Sequence, residues 1–469
     1  MRKISIAPTV LISVYFLGGA ANAQMAAGAS NPSNPSPVET WLSHGSVGGM
    51  LRAYEFDRIY GAPGVPNQSA FGLGGILNLR SAPFLGGFGV GMSFFAATAL
   101  SLTDRAGTAP SFPHLDATLM GPNNDLTALG QAYVQYQVPR LLVRVGDQEL
   151  STPWVGESDS RAFPATYQAV FGEFSPINSL HLFAFRQLAW KSRTSATYFQ
   201  DNLYYPPTYA GDTSYGGASA LNSDAPSARG TLAFGAGYHM KNIKAGAWYY
   251  DYYNFANMFY TDGSYTLDAT RAAHPYIAGQ FLREWGTNSI LNSNRYGTAI
   301  DGYKGNGVDS TAFGAQMGLK YTLGSDMFGD GVISVSYNSL PVHQGSIGDG
   351  AIVSPYTVGY ATDPLYTTAM IRGLVELGPG DAKRVSVSQG LFDNHVLVTL
   401  AFTRFDTKLN GGSNDTYVDV TYFPGGDLKG LSIRDRTEVS NASFQFNNGA
   451  TGNRGHSFIY NRVMLQYNF

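Results

Sequence analysis

The 469-residue chain carries 56 glycines, 30 tyrosines and 28 phenylalanines, but only 13% charged residues, with a formal net charge of −3. That charge density is about half that of an ordinary soluble protein, which argues against a cytosolic enzyme and against a disordered chain. Cysteine is absent, which removes disulfides, thiolate metal sites and cysteine nucleophiles, and the mild acidity argues against a nucleic-acid partner.

Residues 1–23 read as a signal peptide rather than a spanning helix. Arg2 and Lys3 open it, Ile4 to Ala20 is apolar, and Ala21-Asn22-Ala23 offers a small-x-small cleavage site. Residues 24–45, with NPSNPSP at 31–37, read as a flexible periplasmic leader. No later segment holds about 18 uninterrupted apolar residues, so spanning helices are excluded. An exported, aromatic-rich chain can then enter a bilayer only as a closed barrel, which pairs all its backbone groups.

From residue 46 to 469 the pattern is strand-like. Period-2 segments are expected at 47–58, 70–81, 88–102, 129–137, 141–148, 166–173, 180–190, 228–239, 244–253, 257–267, 271–284, 309–321, 330–338, 381–388, 394–405, 415–423, 429–440 and 455–469. The connections tend to alternate long and short, with 254–256 breaking the trend. That alternation predicts an all-β, antiparallel transmembrane barrel of about 18 strands, with short periplasmic turns and long extracellular loops. The stretch Thr368–Leu377 could be a strand, but an even count places it inside a loop. The final segment, HSFIYNRVMLQYNF, alternates apolar and polar faces and ends on Phe469. It resembles the closing strand of outer-membrane barrels, which implies pairing with the first strand.

Faces separate in many segments. Leu141, Val143 and Val145 oppose Arg144 and Gln148, and Ile333, Val335 and Tyr337 oppose Ser334 and Ser336. A lipid-facing row must be apolar because hydrocarbon cannot solvate charge. Segments 47–58 and 180–190 do not separate. The arginines sort by the same parity: Arg80, Arg144, Arg384, Arg434, Arg436 and Arg462 fall on the wet face of their strands. Two readings stay open. Any arginine in a barrel must face water, or the six form a basic track that guides anions. Closure would bring Arg434, Arg436 and Arg462 beside the first two strands, which carry Arg52, Arg58 and Arg80, and so favours a track.

The stretch GDQELSTPWVGESDSRAFP at 146–164 could fold inward or lie outside. With LRAYEFDR at 51–58, TDPLYTTAMIRGLVELGPGD at 362–381 and VDVTYFPGGDLKGLSIRDR at 418–436, it resembles the OprD-type substrate-specific porins, in the family's order. The resemblance implies a monomeric 18-stranded barrel. Its third and seventh loops would form a constriction, and an arginine ladder would lead anions such as amino-acid or aromatic carboxylates through it. Carried over by position, Asp159, Ser160 and Arg161 would stand at the eyelet, with Asp363, Pro364 and Tyr366 opposite. Arg52, Arg58, Arg434 and Arg436 would belong to the ladder. Loops here are rich in Tyr, Ser and Gly, as at 208–223, so the solute can differ.

Other motifs lead nowhere. GGFGVG at 86–91 has no following helix, the eight histidines show no zinc spacing, and GDGV at 329–332 lacks calcium ligands. No Gly-x-Ser-x-Gly elbow is present. The reading is therefore an outer-membrane channel without cofactor, whose partners are membrane lipid and small carboxylate or polar solutes. The alternatives are a weakly selective porin, and behind it a barrel enzyme or adhesin.

Overall fold

The computed structural model describes residues 45–100, 114–121, 125–200, 230–270, 272–286, 307–325, 327–352, 363–441 and 456–469. The expected signal peptide, the leader up to residue 44 and the 208–223 loop lie outside the described residues.

Alternating side chains dictate the architecture. Strands β1 (Ser46–Tyr60), β2 (Gln68–Arg80), β3 (Phe88–Ala99), β4 (Asp125–Val138), β5 (Leu141–Gln148) and β6 (Thr166–Ile177) are followed by β7 (Leu180–Lys191), β8 (Thr231–Met240), β9 (Ile243–Tyr252), β10 (Ala256–Thr266), β11 (Ala273–Trp285) and β12 (Asp309–Thr322). The chain ends with β13 (Phe328–Leu340), β14 (Gly380–Leu391), β15 (Val396–Thr407), β16 (Gly411–Tyr422), β17 (Leu431–Ser440) and β18 (Phe458–Asn468). Each pairs antiparallel with its sequence neighbour, and β1 pairs with β18 from Met50–Asn468 to Tyr60–Phe458. The result is a closed 18-stranded barrel. Closure leaves no strand edge unpaired, which is what hydrocarbon demands. The expected fold and its even strand count are met.

The outer face is apolar over most of the circumference. Leu51, Met317, Val335 and Leu400 are each more than half exposed, whereas the alternate residues Arg52, Ser334 and Ala401 are buried inside. Among the described residues no helix is long and apolar enough to cross a membrane; the strands form the wall.

The connections sort onto two rims. One rim carries the short turns, including 139–140, 178–179 and 241–242. The other carries the long loops, including 149–165 (L3) and 341–379 (L7). Besides 253–255, a second connection on the loop rim is short. β15 and β16 run further than the sequence pattern shows and meet through 408–410, where Gly411 takes φ 68°. The stretch 368–377 is not a strand. It lies inside L7 and ends in a one-turn helix, α1 (Leu374–Leu377), capped by the buried Glu376 carboxylate, which accepts from the Gly373 amide.

The faces of β1 and β7 are resolved by what covers them. Tyr54 and Phe56 point inward and are sealed under loops with Leu115, Leu119 and Phe163. Outward, β1 carries Glu55 and Asp57. An apolar inner row beside a polar outer pair inverts the usual contrast. In β7, Phe183 and Phe185 pack inward against the core beneath L3.

Candidate functional site

The seam between the last strands and the first gathers the basic residues. Strand alternation puts Arg52, Tyr54, Phe56 and Arg58 of β1 on the inner face. The same rule puts Tyr460, Arg462 and Gln466 of β18 there, together with Arg434, Arg436 and Glu438 of β17.

L3 folds into the lumen and is tied to this seam. The Arg52 guanidinium donates to both Asp159 oxygens at 2.8 Å, to the Arg161 carbonyl at 2.6 Å and to Gln466 Oε1 at 2.6 and 2.9 Å. Such a bidentate fork is the strong form of a charge-assisted bond. One arginine thereby joins β1, β18 and L3. Elsewhere L3 packs Phe163 on Phe95, with ring centroids 5.1 Å apart, and buries Trp154 against Tyr260 of the far wall.

L7 enters from the opposite side. Asp363 braces the loop itself, accepting from the Leu365 amide and the Thr368 hydroxyl. The Pro364 carbonyl accepts from Gln280, and the Tyr366 hydroxyl donates to the Gly279 carbonyl, both on β11. Asn338 of β13 holds Thr367. Beyond, Arg384 donates to the Thr368 carbonyl, Glu438 accepts from the Met370 amide, and Arg372 pairs with Asp415 and Ser440. L7 thus spans from β11 to β17. Its Met370 and Ile371 pack against the same cluster that holds Phe56, Phe163 and Tyr460. Both loops thus pack against the inner face of the wall.

The basic residues differ in how they are occupied. Arg52 is paired with Asp159, Arg434 with Asp419 at 2.6 Å, and Arg58 with Asp116 at 3.0 Å. Arg384 is spent on an L7 carbonyl. Arg144 lies over the Tyr133 ring at 4.3 Å and donates to Gln135. Arg80 ends β2 at the turn rim and is exposed. Arg80, Arg144 and Arg384 make no ion pair among the described residues, and neither do Arg161, Arg436 and Arg462, which gather beside Tyr54, Phe56 and Tyr460. Arg462 lies 4.8 Å over Phe56 and 4.3 Å over Tyr460; Arg161 lies 5.3 Å over Phe56. Arg436 donates to the Tyr54 hydroxyl at 2.7 Å. Aromatic faces hold the guanidiniums in place without cancelling their charge. Ser160 sits beside them; its hydroxyl accepts from Arg193 at 2.9 Å.

The electrostatics of the loop groups follow from burial. Burial, then the neighbouring Arg193, lowers the Arg161 pKa to about 10, so it stays charged at neutral pH. Burial pushes the Asp116 carboxyl up, but Arg58 overrides it and holds the group below the usual range. Toward the turn rim lies a cavity of about 280 Å³, lined by Asn78, Glu149, Glu157, Asp159, Gln466 and Asn468. Burial first, then Glu157 and Asp159, push the Glu149 carboxyl up to about 7. No cluster of three metal-ligating side chains exists among the described residues.

Sequence reasoning named Arg52 and Asp159 without linking them. It missed Asp116, Arg193 and the Arg372–Asp415 clamp. Nothing local marks these, because their partners lie far away in the chain.

No family model matches this chain, and no curated protein sequence matches it. Solved structures are similar in fold. Pseudomonas aeruginosa OccK8 (OprE) aligns with a TM-score of 0.69 at 15% identity, over 92% of this chain and 99% of that one. Acinetobacter baumannii OccAB3 aligns with a TM-score of 0.66 at 16% identity, over 91% and 99%. Pseudomonas aeruginosa OpdK, solved with vanillate, aligns with a TM-score of 0.66 at 14% identity, over 92% and 99%.

Proposed function

We propose that this chain is an outer-membrane porin through which small anionic solutes, carboxylates above all, diffuse passively. The shared fold with OccK8, OccAB3 and OpdK is the starting point. The loop rim then faces outward and the turn rim the periplasm. The constriction is built wholly from one chain, which is consistent with a barrel acting alone.

One observation supports the charge preference: Arg161, Arg436 and Arg462 gather where L3 meets the seam wall and have no carboxylate partner among the described residues. In a lumen narrowed by protein, unneutralised charge raises the local concentration of the opposite ion. Arg161 and Arg462 are nearly buried and act through their field. Arg436 is half-buried and can meet a solute. Binding there must stay weak for the solute to leave. Vanillate, seen with OpdK, is an aromatic carboxylate and supports the class.

A second reading is weaker selectivity, favoured by the pairing of Arg52, Arg58 and Arg434 with carboxylates. Reversal potentials in planar bilayers separate the two. The double variant Arg436→Gln/Arg462→Gln should shift selectivity toward cations, whereas Arg434→Gln/Asp419→Asn, which removes a neutral pair, should change it little. An unchanged reversal potential in the double variant would leave the weakly selective porin as the better reading.

A further inference from the structure

L7 is fixed to the wall by two anchors of different chemistry. The first carries no charge. The Gln280 amide donates to the Pro364 carbonyl at 3.1 Å and accepts from the Tyr366 amide at 2.9 Å. Asn338 accepts from the Thr367 amide and hydroxyl at 3.0 and 3.1 Å, and donates to Gln280 at 3.0 Å. Carboxamides do not titrate, so this anchor is indifferent to pH.

The second anchor is acidic. Glu438 of β17 accepts from the Met370 amide at 2.6 Å, and Asp415 of β16 accepts from the Arg372 guanidinium at 2.7 Å. Arg372 also donates to Ser440. Asp415 stands directly opposite Ser440, which makes Glu438 its diagonal neighbour on the inner face. Both carboxyls are buried, but only Asp415 has a guanidinium. Glu438 makes no ion pair among the described residues, and its Oε1 has no hydrogen-bond partner there. Tyr417 and Tyr460 face it from β16 and β18, and Arg436 precedes it on its own strand. Arg384 of β14 donates to the Thr368 carbonyl. Within L7, Asp363 accepts from the Leu365 amide and the Thr368 hydroxyl, and Glu376 from the Gly373 amide. Two ionised carboxylates can only accept, so neither satisfies the other. A neutral Glu438 has an O–H to donate toward Asp415, whereas an ionised one leaves a buried oxygen orphaned, which is unfavourable.

We propose that residues 368–373 of L7 form a proton-operated latch, docked on β16 and β17 while Glu438 is neutral and released, about the Gln280–Asn338 anchor, when Glu438 ionises. Release gives one proton to solvent and leaves a carboxylate that water can reach. Docking therefore weakens as pH rises above the ordinary glutamate value of about 4.3. The Asp415–Arg372 pair sets the other limit, because protonating Asp415 in stronger acid removes the partner of Arg372. Met370 and Ile371 pack with Phe56, Phe163 and Tyr460, so release also uncovers the cluster on which L3 rests. The latch adds regulation to the pore reading above, and only its effect on current depends on that reading.

The chain has no cysteine, so Ala369→Cys provides a single attachment point for a nitroxide in the whole barrel in lipid vesicles. The mobile fraction in its electron paramagnetic resonance spectrum should rise between about pH 5 and 9, by at most about tenfold per unit for one proton. In Glu438→Gln the amide accepts from Met370 and donates toward Asp415, so the label should stay immobile throughout. Asp363→Asn should keep the wild-type profile. A mobility that ignores pH would overturn the latch. So would a profile unchanged by Glu438→Gln, or one flattened by Asp363→Asn instead. In planar bilayers, open-channel noise should rise with the mobile fraction. Mobility that follows pH in a barrel without conductance would leave the latch and sink the pore; steady conductance with an immobile label would do the reverse.

Discussion

At the residue scale, one guanidinium carries more structure than any other described above. Arg52 satisfies Asp159, the Arg161 carbonyl and Gln466 together, and its side chain is nearly buried. Removing it leaves the Arg161 carbonyl without this donor and Asp159, whose side chain is 42% exposed, without its counter-charge, a loss of about 1–3 kcal/mol. The cost here is local to L3, because the barrel ladder does not depend on it. Arg52→Ala should therefore raise single-channel conductance and its noise while leaving the folded barrel intact on electrophoresis. A variant with wild-type conductance would show that Phe163 and Trp154 hold L3 unaided. The inner placement of Arg434, Arg436 and Arg462 was legible from parity alone. Their occupancy was not, since Arg58 meets Asp116 and Arg434 meets Asp419 only after folding.

At the element scale, hydrophobic alternation made the strands readable and their covering loops did not. Segments such as 141–148 contrast sharply because one face meets lipid and the other water. β1 fails the same test because its inner Tyr54 and Phe56 are sealed by L3 and neighbouring loops, a tertiary fact. The longer β16 was missed for another reason: GGSN at 411–414 lacks apolar alternation and reads as a loop. Glycines mark where the wall cannot accept a side chain. Gly146 of β5 has φ 128°, and a Cβ there would lie 2.2 Å from the Ala132 carbonyl oxygen of β4. Gly146→Ala should destabilise the barrel by about 1–3 kcal/mol. Urea unfolding in detergent micelles would show a lower midpoint; an unchanged midpoint would mean that β5 shifts freely.

At the scale of the whole molecule, charge is distributed by side and by depth. Arginines with no ion pair among the described residues gather at the seam, and carboxylates line the cavity nearer the turn rim. The Glu149 carboxyl, pushed up to about 7 by burial and its acidic neighbours, is neutral below that pH and charged above it. A group whose carboxyl is raised in the fold stabilises less as pH rises, because ionisation in the cavity is unfavourable there. Anion preference should therefore increase as pH falls from about 8 to 6, and Glu149→Gln should flatten that dependence. A profile identical in wild type and variant would assign the pH response to another group.

The latch at Arg52 ties together chain segments from the start, the first third and the end of the barrel. Its acceptor Gln466 lies on the final strand, so the residue that anchors L3 also bridges the closing seam. An insertion intermediate still lacking that strand would be both open along its side and wide at its middle.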